Sequence, residues 1–226
     1  MNKTEVGLRI TADAIVPVIR ASTEQKAFMA VDALRKGGIS VVEVTLTVPG
    51  AEKVIELLRK NFDAELLVGA GTVIDVVGAQ RCLDAGAQFI VSPGFDAATV
   101  EFVKSQKILM IAAGLTPTEI MTAWKSGADL VKVFPCNAVG GPAYIKSLKG
   151  PFPQIPLVPT GGVNLQTAAD FIRAGSTALG VGGELVQAAA LDSGKPGVIT
   201  ELAKQFLEIV REARSVRATA SAVKGG

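Results

Sequence analysis

Two residues are placed for chemistry because each is a lone charge inside an apolar run: Glu43 in VVEVTLT and Lys132 in LVKVFP. A lone charge facing packed helices would sit unpaired in hydrocarbon, at a cost of several kcal/mol. A shared interior is the cheaper solution, because each charge then compensates the other. An amine desolvated among apolar groups can attack a carbonyl carbon, and a carboxylate beside it can carry protons. The same two residues also fit a structural ion pair, or an edge strand with both side chains in water. The chain has no histidine. Imidazole general bases and Ser–His–Asp or Cys–His arrangements are therefore excluded, and zinc and non-haem iron lose their commonest ligand. Proton transfer falls to carboxylates, lysine, tyrosine, cysteine, substrate groups or water. Any rate limb between about pH 5 and 8 has to come from Glu43, Lys132, Cys136, the α-amino group or a substrate phosphate.

Other candidates stand at the ends of β-rich runs. VPTGGVNLQ (158–166) carries Gly161 and Gly162, with Asn164 expected as a helix N-cap. LGVGGELV (179–186) carries Gly182 and Gly183, with a short helix expected beyond. Exposed backbone N–H groups and a helix N-terminus supply a positive field for phosphate. Glu184 would repel a dianion, so it is expected to point away as an early helical residue. Arg20 in PVIRAS could grip a carboxylate with its planar fork, or be an exposed surface arginine. Thr72 in GAGTV and Thr116 in AAGLTPTEI could donate to a substrate, or cap the helices that follow. Ser92-Pro93-Gly94 could shape a pocket wall, or form only a turn. Cys136 lies near LVKVFP but has no histidine to activate it, so it is not read as a nucleophile; Cys82 and Trp124 read as helix packing. Asp and Glu show no cluster with metal-ligand spacing.

The elements that must position these residues repeat along the chain. Apolar runs at 14–19, 41–46, 65–70, 88–91, 108–112, 130–134, 156–159 and 178–181 alternate with amphipathic stretches such as 23–35. The runs are nearly continuous, as in parallel strands covered on both faces. Eight such units predict one (β/α)8 TIM-barrel domain over 1–216, with an N-terminal and a C-terminal helix and a flexible tail over 217–226. Gly38, Gly86, Gly127 and Gly175 precede the second, fourth, sixth and eighth runs as natural helix C′ residues. Five residues on from Gly38 stands Glu43, and five on from Gly127 stands Lys132. Alternate barrel strands share a side-chain layer, so this parity puts the carboxylate and the amine in one layer from opposite sides.

Composition narrows the classes further. Hydrophobic residues make up 49% and aromatics only 5%, so the core must be aliphatic. Lysine plus arginine is 23 against 21 acids, with no basic stripe, which argues against nucleic acid. No run approaches the ~18 apolar residues of a membrane span. Two cysteines make no disulfide framework, and the N-terminus lacks the apolar stretch of a signal peptide, so a cytoplasmic setting is expected.

VVEVTLT, VGAGTV, FIVSPGFD, VKVFP and GPFPQIPLVPTGGVN together resemble the bacterial 2-keto-3-deoxy-6-phosphogluconate aldolases, a family that includes 4-hydroxy-2-oxoglutarate aldolase activity. The resemblance runs in order from about residue 14 to 186. It implies a metal-independent class I aldolase of the Entner–Doudoroff route, without cofactor, working as a homotrimer on a small 2-keto-4-hydroxy acid. By motif, Lys132 forms the Schiff base and Glu43 is the general acid/base. Thr72, Pro93 and Phe134 line the pyruvate pocket, and Arg20 and Thr160 lie near the substrate. Gly161, Gly162, Gly182 and Gly183 match the phosphate loops. The chain departs from the family pattern at Thr47, where some members have arginine, at Gly183, where some have serine, and at Cys136-Asn137, where many read FPAE. An unphosphorylated substrate, a phosphosugar isomerase or synthase, and a non-catalytic scaffold are the alternatives on the same barrel.

Overall fold

The computed structural model describes residues 1–62 and 64–224, with the side chains of 217–224 outside that description. The elements run α1 (Lys3–Asp13), β1 (Ile15–Ile19), α2 (Glu24–Lys36), β2 (Val41–Thr45), α3 (Ala51–Phe62), β3 (Leu67–Gly71), α4 (Val76–Asp84) and β4 (Phe89–Val91). They continue with α5 (Ala97–Ser105), β5 (Leu109–Ala113), α6 (Pro117–Ser126), β6 (Leu130–Val133), a 3₁₀ turn (Cys136–Val139), α7 (Pro142–Lys149) and β7 (Leu157–Pro159). Last come α8 (Ala168–Arg173), β8 (Leu179–Val181), α9 (Ala188–Asp192) and α10 (Gly197–Lys224).

Local sequence explains the alternation. Thr23, Asp75, Asp96 and Thr116 each accept a hydrogen bond from the backbone three residues on, which starts α2, α4, α5 and α6. Gly38, Gly86, Gly127 and Gly175 all take the left-handed conformation, with φ between 93° and 109°, and turn the chain back into β2, β4, β6 and β8. The eight strands are all parallel, in the order β7-β6-β5-β4-β3-β2-β1-β8. A bridge between Thr160 and Gly180 joins β7 to β8 and closes the ring. The fold is the expected (β/α)8 barrel.

Side chains sort by parity into two buried layers. Val42 and Val44 of β2 pack outward against the helices, whereas Val41 joins Leu67, Phe89, Leu109, Leu130 and Val158 inside the lumen. The amphipathic α1 contacts β1, β2 and β5 and lies across the N-terminal mouth. Its Val6 and Ile10 are buried with the lumen residues, so the helix plugs that end. At the other end of the sequence α10 packs on α2 and α8, and the Arg214 guanidinium donates to the carbonyls of Thr11, Ala12 and Thr177. The α10 backbone stays helical to Lys224, into the stretch expected as a flexible tail; residues 225 and 226 of that expectation lie outside the described residues. No helix among the described residues is long and apolar enough to cross a membrane.

Because Ile10 is fully buried in the plug, Ile10→Ala is expected to lower the unfolding free energy by about 2–5 kcal/mol. Urea denaturation checks this, and a change within experimental error would remove α1 from the stable core.

Candidate active site

Glu43 and Lys132 occupy lumen positions of β2 and β6, as the five-residue spacing predicts. Only 2% of Glu43 and 6% of Lys132 are exposed. Lys132 Nζ stands 3.7 Å from Glu43 Oε1, within ion-pair range but too far for a good hydrogen bond. That oxygen has no hydrogen-bond partner, although it is buried. The ammonium also lies 5.5 Å from the centroid of the Phe134 ring, whose face favours a cation. An amine and a carboxylate so placed can exchange a proton through a substrate atom or a water lodged between them.

The C-terminal strand ends build the walls. After β4 the buried Ser92 hydroxyl donates to Gly94 O at 2.6 Å and receives Ala113 N–H of β5 at 3.4 Å, which fixes the turn around Pro93. Pro93 and Phe134 then share a cleft of about 400 Å³ with Phe95, Gly114, Leu115 and Glu119. Thr116 takes the capping role: its hydroxyl accepts from Glu119 N–H, and the Glu119 carboxylate accepts from the N–H groups of Thr116 and Leu115. Those two N–H groups hold the Glu119 carboxyl below the usual carboxylate range. From α7, Tyr144 donates to Leu115 O at 2.6 Å. Glu119, which lines this cleft, and Tyr144, which ties α7 to its Leu115 wall, are residues that sequence reasoning passed over. The T-x-x-E spacing of Thr116 and Glu119 is a capping-box signature and could have flagged the first of them.

Thr72 does not cap the next helix, since Asp75 does that. It follows Gly71 at φ 59°, a left-handed conformation that costs a β-branched residue about 1–3 kcal/mol. Strain of this kind collects at sites where surrounding structure dictates the backbone.

The two glycine pairs leave neighbouring strands at the same barrel end, as the Thr160–Gly180 bridge requires. Thr160 is 8% exposed, and its Oγ1 is buried without a partner. Gly161 and Gly162 adopt φ of 96° and 75°, and Asn137 packs against both. The expected N-cap is displaced: Asn164 Oδ1 accepts from Gln166 and Thr167 N–H to close a turn, while α8 begins later with Thr167 at its N-cap. After β8, Gly182 and Gly183 have open space where a side chain would stand. Glu184 is exposed, but in a turn closed by Leu185 and Val186 N–H on Gly182 O; the expected helix starts only at Ala188.

Arg20 is exposed after β1 and belongs to a second cleft of about 320 Å³, shared with Ser22, Lys26, Thr47 and Asp192. Lys26 and Asp192 pair at 2.6 Å across it. Thr45 gives its only hydroxyl hydrogen to Ile19 O, so the 2.6 Å contact with Thr47 must be donated by Thr47. The structure thus pairs Glu43 with Lys132, sets Phe134 beside Lys132 and Pro93 in one cleft with Phe134, and puts Arg20 in a separate cleft beside Thr47. Burial pushes the Cys136 thiol up to about 11 and the Cys82 thiol to about 12, so both are neutral near pH 7 and Cys136 drops out of the groups expected to titrate between about pH 5 and 8.

The sequence matches the family described as KDPG and KHG aldolase over residues 6–202. The 2-dehydro-3-deoxy-phosphogluconate aldolase of Treponema pallidum is 36% identical over 87% of this chain and 93% of its own length. The KHG/KDPG aldolase of Escherichia coli K12 is 34% identical over 91% of this chain and 96% of its own. A crystal structure of KDPG aldolase from Legionella pneumophila, with pyruvate captured as a covalent carbinolamine, superposes with a TM-score of 0.82 at 34% identity, covering 88% of this chain and 96% of that one. With its barrel closed and a lysine and a glutamate paired inside it, this chain belongs to the KDPG and KHG aldolase family.

Proposed function

We propose that the protein is a class I aldolase that cleaves 2-keto-3-deoxy-6-phosphogluconate to pyruvate and glyceraldehyde 3-phosphate. The observation that carries this reading is the Lys132–Glu43 pair, buried together in an apolar lumen with the facing carboxylate oxygen free of hydrogen bonds. The substrate follows from the names of the relatives.

The reaction uses this chain's groups in sequence. Lys132, its proton passed to Glu43 directly or through a water, adds to the C2 ketone to give a carbinolamine; Glu43 returns that proton to the C2 hydroxyl, which leaves as water, and a protonated imine remains. Glu43, directly or through a water, takes the proton of the C4 hydroxyl as the C4 carbonyl forms. The C3–C4 bond breaks, and its electron pair moves through C2 onto the imine nitrogen. The aldehyde leaves; Glu43 delivers the proton it took to C3 of the enamine, directly or through a water, and hydrolysis of the resulting imine releases pyruvate and restores the amine. The electron sink is the iminium nitrogen, so the step calls for no metal or other cofactor. Thr72, Pro93, Phe134 and Thr160 surround the pyruvate unit, and Arg20 faces the substrate carboxylate. The N–H groups at Gly161, Gly162, Gly182 and Gly183 hold the phosphate. On the same resemblance we place the enzyme in the cytoplasm as a homotrimer with no nucleic-acid or membrane partner, a state that native mass measurement tests.

A second substrate has its own support. The Escherichia coli relative carries both activities in its name, and Thr47 and Gly183 stand where some members have arginine and serine. The shorter substrate is 4-hydroxy-2-oxoglutarate, cleaved to pyruvate and glyoxylate. The ratio of kcat/KM for the two substrates decides between them.

Pyruvate with borohydride is expected to leave an irreversible adduct on Lys132, seen by peptide mass spectrometry and lost in Lys132→Ala. Absence of the adduct under turnover conditions would sink the imine. Glu43→Gln is expected to keep adduct formation while turnover falls by about 10²–10⁴-fold, the usual effect of removing a general acid/base. Equal turnover in the two proteins would take Glu43 out of the proton path. Since the Cys136 thiol lies at about 11, Cys136→Ser is expected to leave any limb of the pH–rate profile between about pH 5 and 8 in place; a limb that vanishes in this variant would overturn that assignment.

A further inference from the structure

Three lumen positions that oppose bulky or reactive side chains are glycine. A Cβ at Gly69 would lie 2.3 Å from the Phe89 ring, one at Gly180 2.1 Å from Thr160 Oγ1, and one at Gly71 1.8 Å from Glu43 Oε1. Real Cβ contacts do not fall below 3.0 Å, so in each case the neighbour fills the volume that a side chain would take. The backbone gives no other reason for glycine here, because none of the three has a positive φ. They differ in this from Gly161 and Gly162, whose backbone itself calls for glycine.

The contact at Gly71 involves the whole end of the glutamate. The missing Cβ would also come within 2.4 Å of Glu43 Cδ and 2.5 Å of Cγ. Glu43 pairs in register with Gly69, and Gly71 is two residues nearer the open mouth. The glutamate therefore leans along the lumen, over Gly71, toward the strand ends. The oxygen that occupies the slot is Oε1, the same atom that stands 3.7 Å from Lys132 Nζ and lacks a hydrogen bond. No hydrogen bond to Oε1 fixes the position of this carboxylate oxygen. Packing against bare backbone fixes it instead.

We propose that Gly71 is a positioning residue for the aldol reaction: its absent side chain is the slot that holds the Glu43 carboxylate at Lys132. The proposal rests on the proton-transfer role assigned to Glu43 above. Gly71 touches no reacting atom and acts only through Glu43.

Two readouts test it, one of them independent of activity. In a double-mutant cycle read by thermal unfolding, Gly71→Ala is expected to lower Tm in the presence of Glu43 and to lower it clearly less in a Glu43→Ala background, where nothing fills the slot. Equal losses in both backgrounds overturn the proposal. If Gly71→Ala alone does not fold, Gly71→Ala/Glu43→Ala is expected to fold, and failure of both has the same overturning force. In kinetics, Gly71→Ala is expected to lower kcat by at least about 10-fold with KM changed by no more than about 2-fold, the pattern of a lost transition-state interaction. Borohydride trapping of pyruvate on Lys132 is expected to persist. The loss of kcat on adding Gly71→Ala is expected to be smaller beside Glu43→Asp, whose shorter side chain withdraws from the slot. Tm coupling with unchanged kcat overturns the catalytic half of the proposal while leaving the packing slot in place; the role of Glu43 itself stands or falls separately with the turnover of Glu43→Gln. Gly69→Ala, which meets Phe89 instead, is the control: it is expected to lower Tm equally with and without Glu43.

Discussion

Everything in this molecule is arranged around one uncomfortable fact, two opposite charges held out of water in an aliphatic tube. Taken alone, each charge would cost several kcal/mol to bury, and the pair is tolerable only because the two compensate each other. The 3.7 Å separation leaves that compensation incomplete, with Glu43 Oε1 still without a hydrogen bond. A reactive pair benefits from being incompletely satisfied, since a carboxylate locked in strong hydrogen bonds is a poor proton carrier. The closed ring of strands, the plug of α1 and the near absence of polar lumen residues below the pair maintain this low-dielectric setting.

The walls show how the fold supplies rigidity without using Glu43 or Lys132. Ser92 ties the β4 turn to β5, Tyr144 ties α7 to the β5 loop, and Glu119 ties that loop to its own helix. The first two ties join neighbouring βα units and the third stays within one, so the cleft keeps its shape largely through contacts between repeats. At the loop of Gly161 and Gly162 the support is of another kind. Asn137 packs directly on Gly161 and Gly162, so the side chain that departs from the family pattern is a packing partner of the loop.

Much of this was legible in the sequence because it is local or periodic. The strands could be read from apolar runs, and the four C′ glycines from their spacing before even-numbered strands; all four adopt the left-handed conformation. Glu43 and Lys132 were legible because a charge in an apolar strand has few places to go, and strand parity left one. What could not be read depends on neighbours remote in sequence or on backbone detail. The helix expected at Glu184 is delayed because Gly182 O closes a turn there first. Asn164 satisfies its own turn, so the cap moves to Thr167. Thr72 carries no signal of its positive φ. The value of Gly71 depends on a glutamate of the adjacent strand leaning two residues along the lumen, which no spacing rule specifies.

The plug formed by α1 also bears on the order of events. A barrel stopped at one end is a blind tube, and everything that enters it leaves by the way it came. On the proposed reaction, pyruvate stays bonded to Lys132 after the C3–C4 bond breaks, whereas no covalent bond holds the aldehyde. The aldehyde must therefore depart first. The water that frees the enzyme from pyruvate arrives only behind it, along the path the aldehyde has vacated. Run in the synthetic direction, the same bond makes pyruvate the first substrate, since its enamine on Lys132 must form before an aldehyde can be attacked. The covalent bond thus sets the order, and the placement of a single N-terminal helix sends every departure through one mouth.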